Sequence, residues 1–413
     1  PAKPPRDAAR GGPRDGGAAD DGLQLGCFAR YWRGARGQLE ARPQRIEGSC
    51  STGRASSSSG SRGTQPGEAL EEAVLAERGG GLPGLHSAGV RFSTPEASGY
   101  RLLRDLGHGS QGTVRLARDG GGLQRCVKCC PKAQMTKDKL KAVMAEFECM
   151  QRLDSRLLAK AFDFFQDQHF YYIVGEPYLG GDFAGLLPRA ERAGAQLLEE
   201  WWRRLFRQCL EGLEYLHGEG FVHCDIKEPN LMLRTEDLQR PQVVIIDLGF
   251  AQHQGAGPMK ILGTPGYIPP ETWRSGLWQP EGDVFSLGVV MVQLLMHAVP
   301  RSPSRGSARH GVLTAGTRSL EEVAAATAAR DLGAAGEVLP PEYAGLAALL
   351  PGLLARDPGS RLSARRALRE PWFLHASVGG PAFSPRLAWQ ARLGADAGGG
   401  RSQPPSPAGA TAA

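Results

Sequence analysis

Asp225, Lys227 and Asn230 stand within six positions of one another, and Asp247 follows a short apolar run with Gly249 two residues beyond it. Two carboxylates, an amide oxygen and an ammonium so spaced suit phosphoryl transfer. That reaction needs little covalent help from protein groups, but it does need a held metal, a positioned nucleophile and charge stabilisation. In such chemistry Asp225 accepts the proton of an attacking hydroxyl and Lys227 steadies the group in transit. Asn230 and Asp247 hold magnesium, a hard cation that prefers oxygen ligands.

Upstream, Gly107, Gly109, Gly112 and Val114 make a G-x-G-x-x-G-x-V pattern, in which missing side chains let backbone N–H groups approach phosphate oxygens. In a chain with 56 glycines the pattern is weak by itself, and dinucleotide-binding folds carry it too. A dinucleotide site wants a helix opening at the third glycine, whereas residues 113–117 continue as a strand. Lys128 follows in an apolar, strand-like run, and Glu146 falls on a predicted helix. Taken alone, these two are a surface lysine and a solvated glutamate. Beside the other motifs, they are a lysine on nucleotide phosphates held by a helix carboxylate.

Three more motifs follow in order: residues 263–271 ending at Glu271, residues 283–288 opening on Asp283, and Arg361 placed to pair with Glu271. With these in view, the segment 100–373 resembles a eukaryotic-type protein kinase. Lys227 and the Gly263-Thr264 pair follow the serine/threonine pattern, nearest in look to the calcium/calmodulin-dependent and calcium-dependent group. The resemblance implies an α+β, bilobal protein kinase fold, with a small antiparallel β-rich lobe carrying one helix and a larger, mainly helical lobe. It implies ATP and Mg2+ as cofactors and protein substrates as partners. Asp225 and Lys227 are then catalytic, and Asn230 and Asp247 ligate metal. The nucleotide lies against Leu106, Gly107, His108, Gly109, Gly112, Val114, Cys126, Lys128, Glu146, Glu176, Tyr178, Asp182 and Met232. A nucleotide-binding pseudokinase acting as a scaffold is the alternative, and the presence of Lys128, Asp225, Asn230 and Asp247 argues against it.

The chain departs from the family pattern in places. Cys224 stands where an arginine usually grips a phosphate, and residues 250–262 contain no Ser, Thr or Tyr, so activity is expected without phosphorylation of this loop. Glu228 and Pro229 are exchanged relative to the usual order, which weakens the expectation of a preference for basic peptides. Gly175 aligns with the gatekeeper, with 176–178 at the adenine hinge and Asp182 near the ribose; a void behind the adenine is expected there. Gln111 and Leu248 replace the commoner aromatics.

The elements that must position these residues are legible in the periodicity. Residues 100–132 predict three antiparallel strands, 137–153 a helix with Val143, Phe147 and Met150 on one face, and 161–165 and 170–174 two more strands. Helices are expected at 197–217 and 283–297, short strands at 231–233 and 243–246, and a surface loop at 300–316. The most apolar stretch, 284–299, is too short for a membrane span and is interrupted by Ser286, Gln293 and His297.

Composition divides the chain into a low-complexity region at 1–98, a catalytic domain at 99–374 and a second flexible tail at 375–413. The serine-rich run 51–61 makes the first of these a candidate docking or phosphorylation platform. A net charge of +6, spread without a basic block, argues against nucleic acid. Eight cysteines without framework spacing suggest reduced thiols and a cytoplasmic or nuclear setting, and the Cys126/Cys129 pair is read as strand cysteines. No EF-hand loop occurs. The short amphipathic piece 385–393 is a candidate grip for calmodulin or another regulator. The sequence begins at Pro1 without an initiator methionine, so a targeting segment ahead of it stays open.

Overall fold

The computed structural model describes residues 90–109, 112–257, 261–299, 311–339 and 341–374. The expectations for 1–89 and 375–413, among them the serine run and the candidate calmodulin piece, lie outside the described residues.

Six strands form one sheet: β1 (Arg91–Phe92), β2 (Arg101–Gly109), β3 (Gly112–Arg118), β4 (Gln124–Pro131), β5 (Ala161–Gln166) and β6 (Phe170–Gly175), in the order β1-β5-β6-β4-β3-β2. Strand alternation sends neighbouring side chains to opposite faces. Along β4, Val127 and Cys129 join a cluster with Ala117, Phe165, Tyr172 and Val174 on one face. Cys126, Lys128 and Cys130 are the alternate set, and Lys128 thereby meets helix α1 (Lys137–Arg152). Thr136 caps that helix by accepting the Lys139 N–H at 3.3 Å. Val143, Glu146 and Met150 lie on its buried side.

The strand-rich lobe begins earlier than position 99. Arg91 and Phe92 pair in parallel with Phe165 and Gln166, and the Arg91 guanidinium donates to Asp163 at 2.6 Å. Arg91 and Phe92 therefore form the edge of the sheet beside β5.

The second lobe contains α2 (Leu186–Arg192), α3 (Glu199–Gly218), β7 (Phe221–Val222), β8 (Leu231–Leu233), β9 (Val243–Ile245), β10 (Gln252–His253), α4 (Pro270–Ser275) and α5 (Pro280–Leu295). It closes with α6 (Leu320–Ala329), α7 (Ala344–Leu353), α8 (Ala364–Ala367) and α9 (Pro371–Leu374). Helix α5 is buried on all sides from Gly282 to Leu295, which accounts for its mainly apolar character, broken at Asp283, Ser286 and Gln293. Among the described residues no helix is long and apolar enough to cross a membrane.

The surface loop expected at 300–316 is corrected in part. Residues 300–310 lie outside the described residues, but Val312 and Leu313 are buried, and the Arg330 guanidinium donates to the carbonyls of Val312 at 2.6 Å and Ala315 at 2.8 Å. Two apolar residues in a run without periodicity carry no helix or strand signal, so the burial was not legible in sequence.

Cys126, Cys129, Cys130, Cys149, Cys209 and Cys224 are free and buried, as expected for core thiols. Among the described residues no group of three or more His, Cys, Asp or Glu could hold a metal by itself.

Candidate active site

The loop between β7 and β8 is anchored from beneath by Asp283 of α5. Its carboxylate accepts the backbone N–H groups of His223 at 2.8 Å and Cys224 at 2.9 Å, and it meets the His217 ring at 2.8 Å. A buried carboxylate taking several hydrogen bonds is well satisfied, and it fixes the loop against the lobe's central helix. Cys224 takes φ +65° at this bend. His223 accepts the Asp225 N–H through Nδ1 at 3.2 Å, and its Nε2 faces the Ile246 carbonyl at 3.1 Å, which selects the Nε2–H tautomer.

On this base the polar residues converge. Lys227 Nζ donates to Asp225 Oδ2 at 2.5 Å and to Thr264 Oγ1 at 2.7 Å, and the Thr264 hydroxyl donates to Asp225 Oδ1 at 2.6 Å. Asn230 donates its amide hydrogens to the Asp225 carbonyl at 2.7 Å and to Oδ2 at 3.1 Å. Its own carbonyl oxygen, Oδ1, is buried with no hydrogen-bond partner among the described residues. Such an atom costs free energy unless a ligand meets it. The Ile246 N–H donates to the Asn230 carbonyl at 2.9 Å, which brings Asp247 alongside, in the left-handed conformation at φ +67°. A carboxylate and an orphaned amide oxygen are the hard donors that magnesium takes, so the residues present fit that ion.

Lys128 Nζ donates to Glu146 at 3.0 Å, and the two side chains are 0% and 1% exposed. Burial raises the Glu146 carboxyl pKa, the Lys128 ammonium opposes that, and the Asp247 charge adds to it. Leu248 packs in the main core, and a Cβ on Gly249 would stand 3.3 Å from Asp247 Oδ1 and 3.6 Å from Glu146. The ion pair, Asp247 and its glycine therefore form one packed unit.

Leu106, Val114, Leu116 and Cys126 form a buried cluster on the strands above. Gly107 pairs with Val114, His108 with Thr113, and Gly109 with Gly112. Gly112 has φ +136°, and a Cβ there would come within 1.9 Å of the Cys129 carbonyl oxygen, so only glycine fits. Met232, fully buried, forms an isolated antiparallel backbone bridge with Asp182.

The hinge side chains turn elsewhere. The Glu176 carboxylate pairs with Arg234, and its carbonyl accepts the Cys126 thiol at 3.3 Å. The Tyr178 hydroxyl accepts the Lys160 N–H at 3.0 Å. Asp182 caps the short helix Phe183–Gly185 by accepting the Gly185 N–H at 2.9 Å.

The expected void at Gly175 is corrected: a Cβ there would meet the Lys160 carbonyl oxygen at 2.9 Å and Cys126 Sγ at 3.4 Å. The glycine is required by a close backbone approach and does not leave room.

Where an arginine was missing from the sequence pattern, an apolar cluster stands. Val222, Cys224 and Phe250 are buried together, with Leu262 and Trp278 packed against them. The Trp278 indole donates to the Leu262 carbonyl at 3.3 Å. Burial, with the nearby Asp283 and Asp225 charges, pushes the Cys224 thiol pKa well up.

Thr264 entered the sequence reading only as part of the Gly263-Thr264 pattern and was not placed among the site residues. Its meeting with Asp225 spans 39 residues of chain.

Lys128 and Glu146 of the strand-rich lobe and Asp225, Asn230 and Asp247 of the second lobe are thus gathered by one two-lobed fold. The profile of the protein kinase domain family matches residues 100–373, and the chain belongs to that family. It is 30% identical over 218 residues to calcium-dependent protein kinase 4 of Plasmodium falciparum, covering 52% of this chain and 40% of that protein. It is 27% identical over 290 residues to human serine/threonine-protein kinase ULK3, covering 69% and 57%. It is 31% identical over 199 residues to calcium/calmodulin-dependent protein kinase type 1 of Caenorhabditis elegans, covering 48% and 56%. The chain thus spans about half the length of these curated relatives.

Proposed function

We propose that the chain is a serine/threonine protein kinase that transfers the γ-phosphate of ATP, held with magnesium, to hydroxyls of protein substrates. The observation that carries this reading is the joint contact of Asp225, Lys227 and Thr264, with the Lys128–Glu146 ion pair formed at the same time.

Asp225 takes the proton of the substrate hydroxyl as its oxygen bonds to the γ-phosphorus and the bond to the ADP oxygen breaks. Lys227 balances charge on the moving group, and Thr264 holds the Asp225 carboxylate in orientation. Asn230 and Asp247 hold magnesium, which when bound neutralises phosphate charge. Lys128, fixed by Glu146, grips the nucleotide phosphates beneath the glycine turn at 107–112. Leu106, Val114 and Cys126 enclose the adenine from above, Met232 from below, and the backbone of residues 176–178 meets its edge.

Buried, free cysteines support a reducing, cytoplasmic or nuclear setting. Calcium control appears in the names of two relatives, and calmodulin is a candidate regulator here.

The test is incubation of the full chain with magnesium, labelled ATP and a generic basic protein, beside Asp247→Ala, with and without calcium-loaded calmodulin. Transfer lost in the variant supports the kinase reading. No transfer under any condition, with nucleotide still bound, supports the scaffold alternative.

A further inference from the structure

Glu228 is a fully buried carboxylate that the proposed reaction does not use. Its Oε2 accepts the Tyr267 hydroxyl at 2.5 Å, and its Oε1 accepts the Gln293 amide at 2.8 Å. The same amide lies 3.1 Å from the Tyr267 oxygen, and the Gln293 carbonyl accepts the Val312 N–H at 3.1 Å. The three side chains come from the loop bearing Asp225, from the segment bearing Thr264, and from α5.

The spacing along the chain matters. Asp225 meets Thr264, and Glu228, three residues on, meets Tyr267, likewise three residues on. Two rungs thus join the same two segments. A single rung leaves a segment free to pivot about the contact; two rungs fix both distance and angle. Gln293 holds the second rung to the central helix and, through Val312, to the buried residues 311–314.

We propose that Glu228, Tyr267 and Gln293 form a positioning triad that seats the 263–267 segment, and the protein substrate laid against it, relative to Asp225. The exchanged Glu228-Pro229 order gives the carboxylate this inward task and withdraws it from any selection of basic substrate residues. The inference rests on the kinase reading above.

The test compares the full chain with Glu228→Gln, Gln293→Glu and the double variant carrying both, with Tyr267→Phe as a second route should Glu228→Gln fail to fold. Peptide KM, ATP KM and backbone amide exchange of residues 263–268 are measured. Glu228→Gln replaces one of the two oxygens that hold Tyr267 and Gln293 with a donor, so peptide KM rises by about tenfold while ATP KM stays within about twofold, and exchange at 263–268 speeds up. Gln293→Glu alone sets two carboxylates against each other and does worse. The double variant again offers one carboxylate and one amide to the hydroxyl, and it returns KM and exchange toward the parent values. A double variant no better than the sum of its singles overturns the triad, as does an equal rise in both KM values or unchanged exchange. If the parent chain transfers no phosphate, the kinase reading fails, and the exchange data decide the triad by themselves.

Discussion

Arg361 reaches the carboxylate of Glu271 with both terminal nitrogens, at 2.6 and 2.9 Å, across 90 residues of chain. The guanidinium side chain is fully buried and also donates to the backbone carbonyls of Ala355, Glu281 and Arg356. This pair ties the end of the 263–271 segment to the base of the second lobe. Removing one partner leaves the other charge buried and uncompensated. Arg361→Met is expected to lower unfolding free energy by about 3–5 kcal/mol in urea titration. A loss below about 1 kcal/mol, the worth of an exposed pair, would contradict the assignment.

Phe250, Leu262 and Trp278 pack around Cys224, the position at which the family pattern would have an arginine. Phosphatase treatment is therefore expected to leave transfer activity unchanged. Cys224→Arg forces a bulky guanidinium into this packed apolar cluster and is expected to cost more than about 2 kcal/mol of stability by overpacking, even with the Asp283 and Asp225 carboxylates nearby. Loss of transfer activity on phosphatase treatment would sink the idea.

At Gly175 the close Lys160 carbonyl predicts strain, whatever the inhibitor. Gly175→Met is expected to destabilise the protein by about 1–3 kcal/mol, read as a lower thermal midpoint. Bulky adenine mimics are expected to gain no special entry into the parent site. Strong, selective inhibition of the parent by such compounds, lost in a well-folded Gly175→Met, would overturn this.

Burial pushes the thiols of Cys126, Cys129 and Cys149 up to about 12 and that of Cys130 to about 11, from an ordinary 9.0. The folded state thus keeps protons that the unfolded chain releases. Stability is full below pH 9 and falls as pH rises from about 9 toward 11–12. Urea midpoints measured in reductant at pH 7.5, 9 and 10 on the order expected for this linkage should decline, with a shallower slope in Cys130→Ala. Slow alkylation of the native protein at pH 8 and rapid alkylation after unfolding should accompany it, at roughly the ordinary thiol rate once exposed. A flat midpoint through pH 10 would refute the linkage.

Much of this protein was decided locally and was therefore legible in the chain. The strands from 100 to 132, the helix expected at 137–153 and the buried helix expected at 283–297 follow from side-chain periodicity, which acts over a few residues. Asp225, Lys227, Asn230 and Asp247 lie close together along two short loops, so their grouping was already visible in the chain. Tertiary structure decided what those residues touch. Thr264 on Asp225, Tyr267 on Glu228, the Lys160 carbonyl over Gly175 and the burial of Val312 all join segments far apart in sequence. No local pattern encodes such meetings. They arise when α5 and the strands pack, because a buried polar group must find its partner wherever the fold brings one.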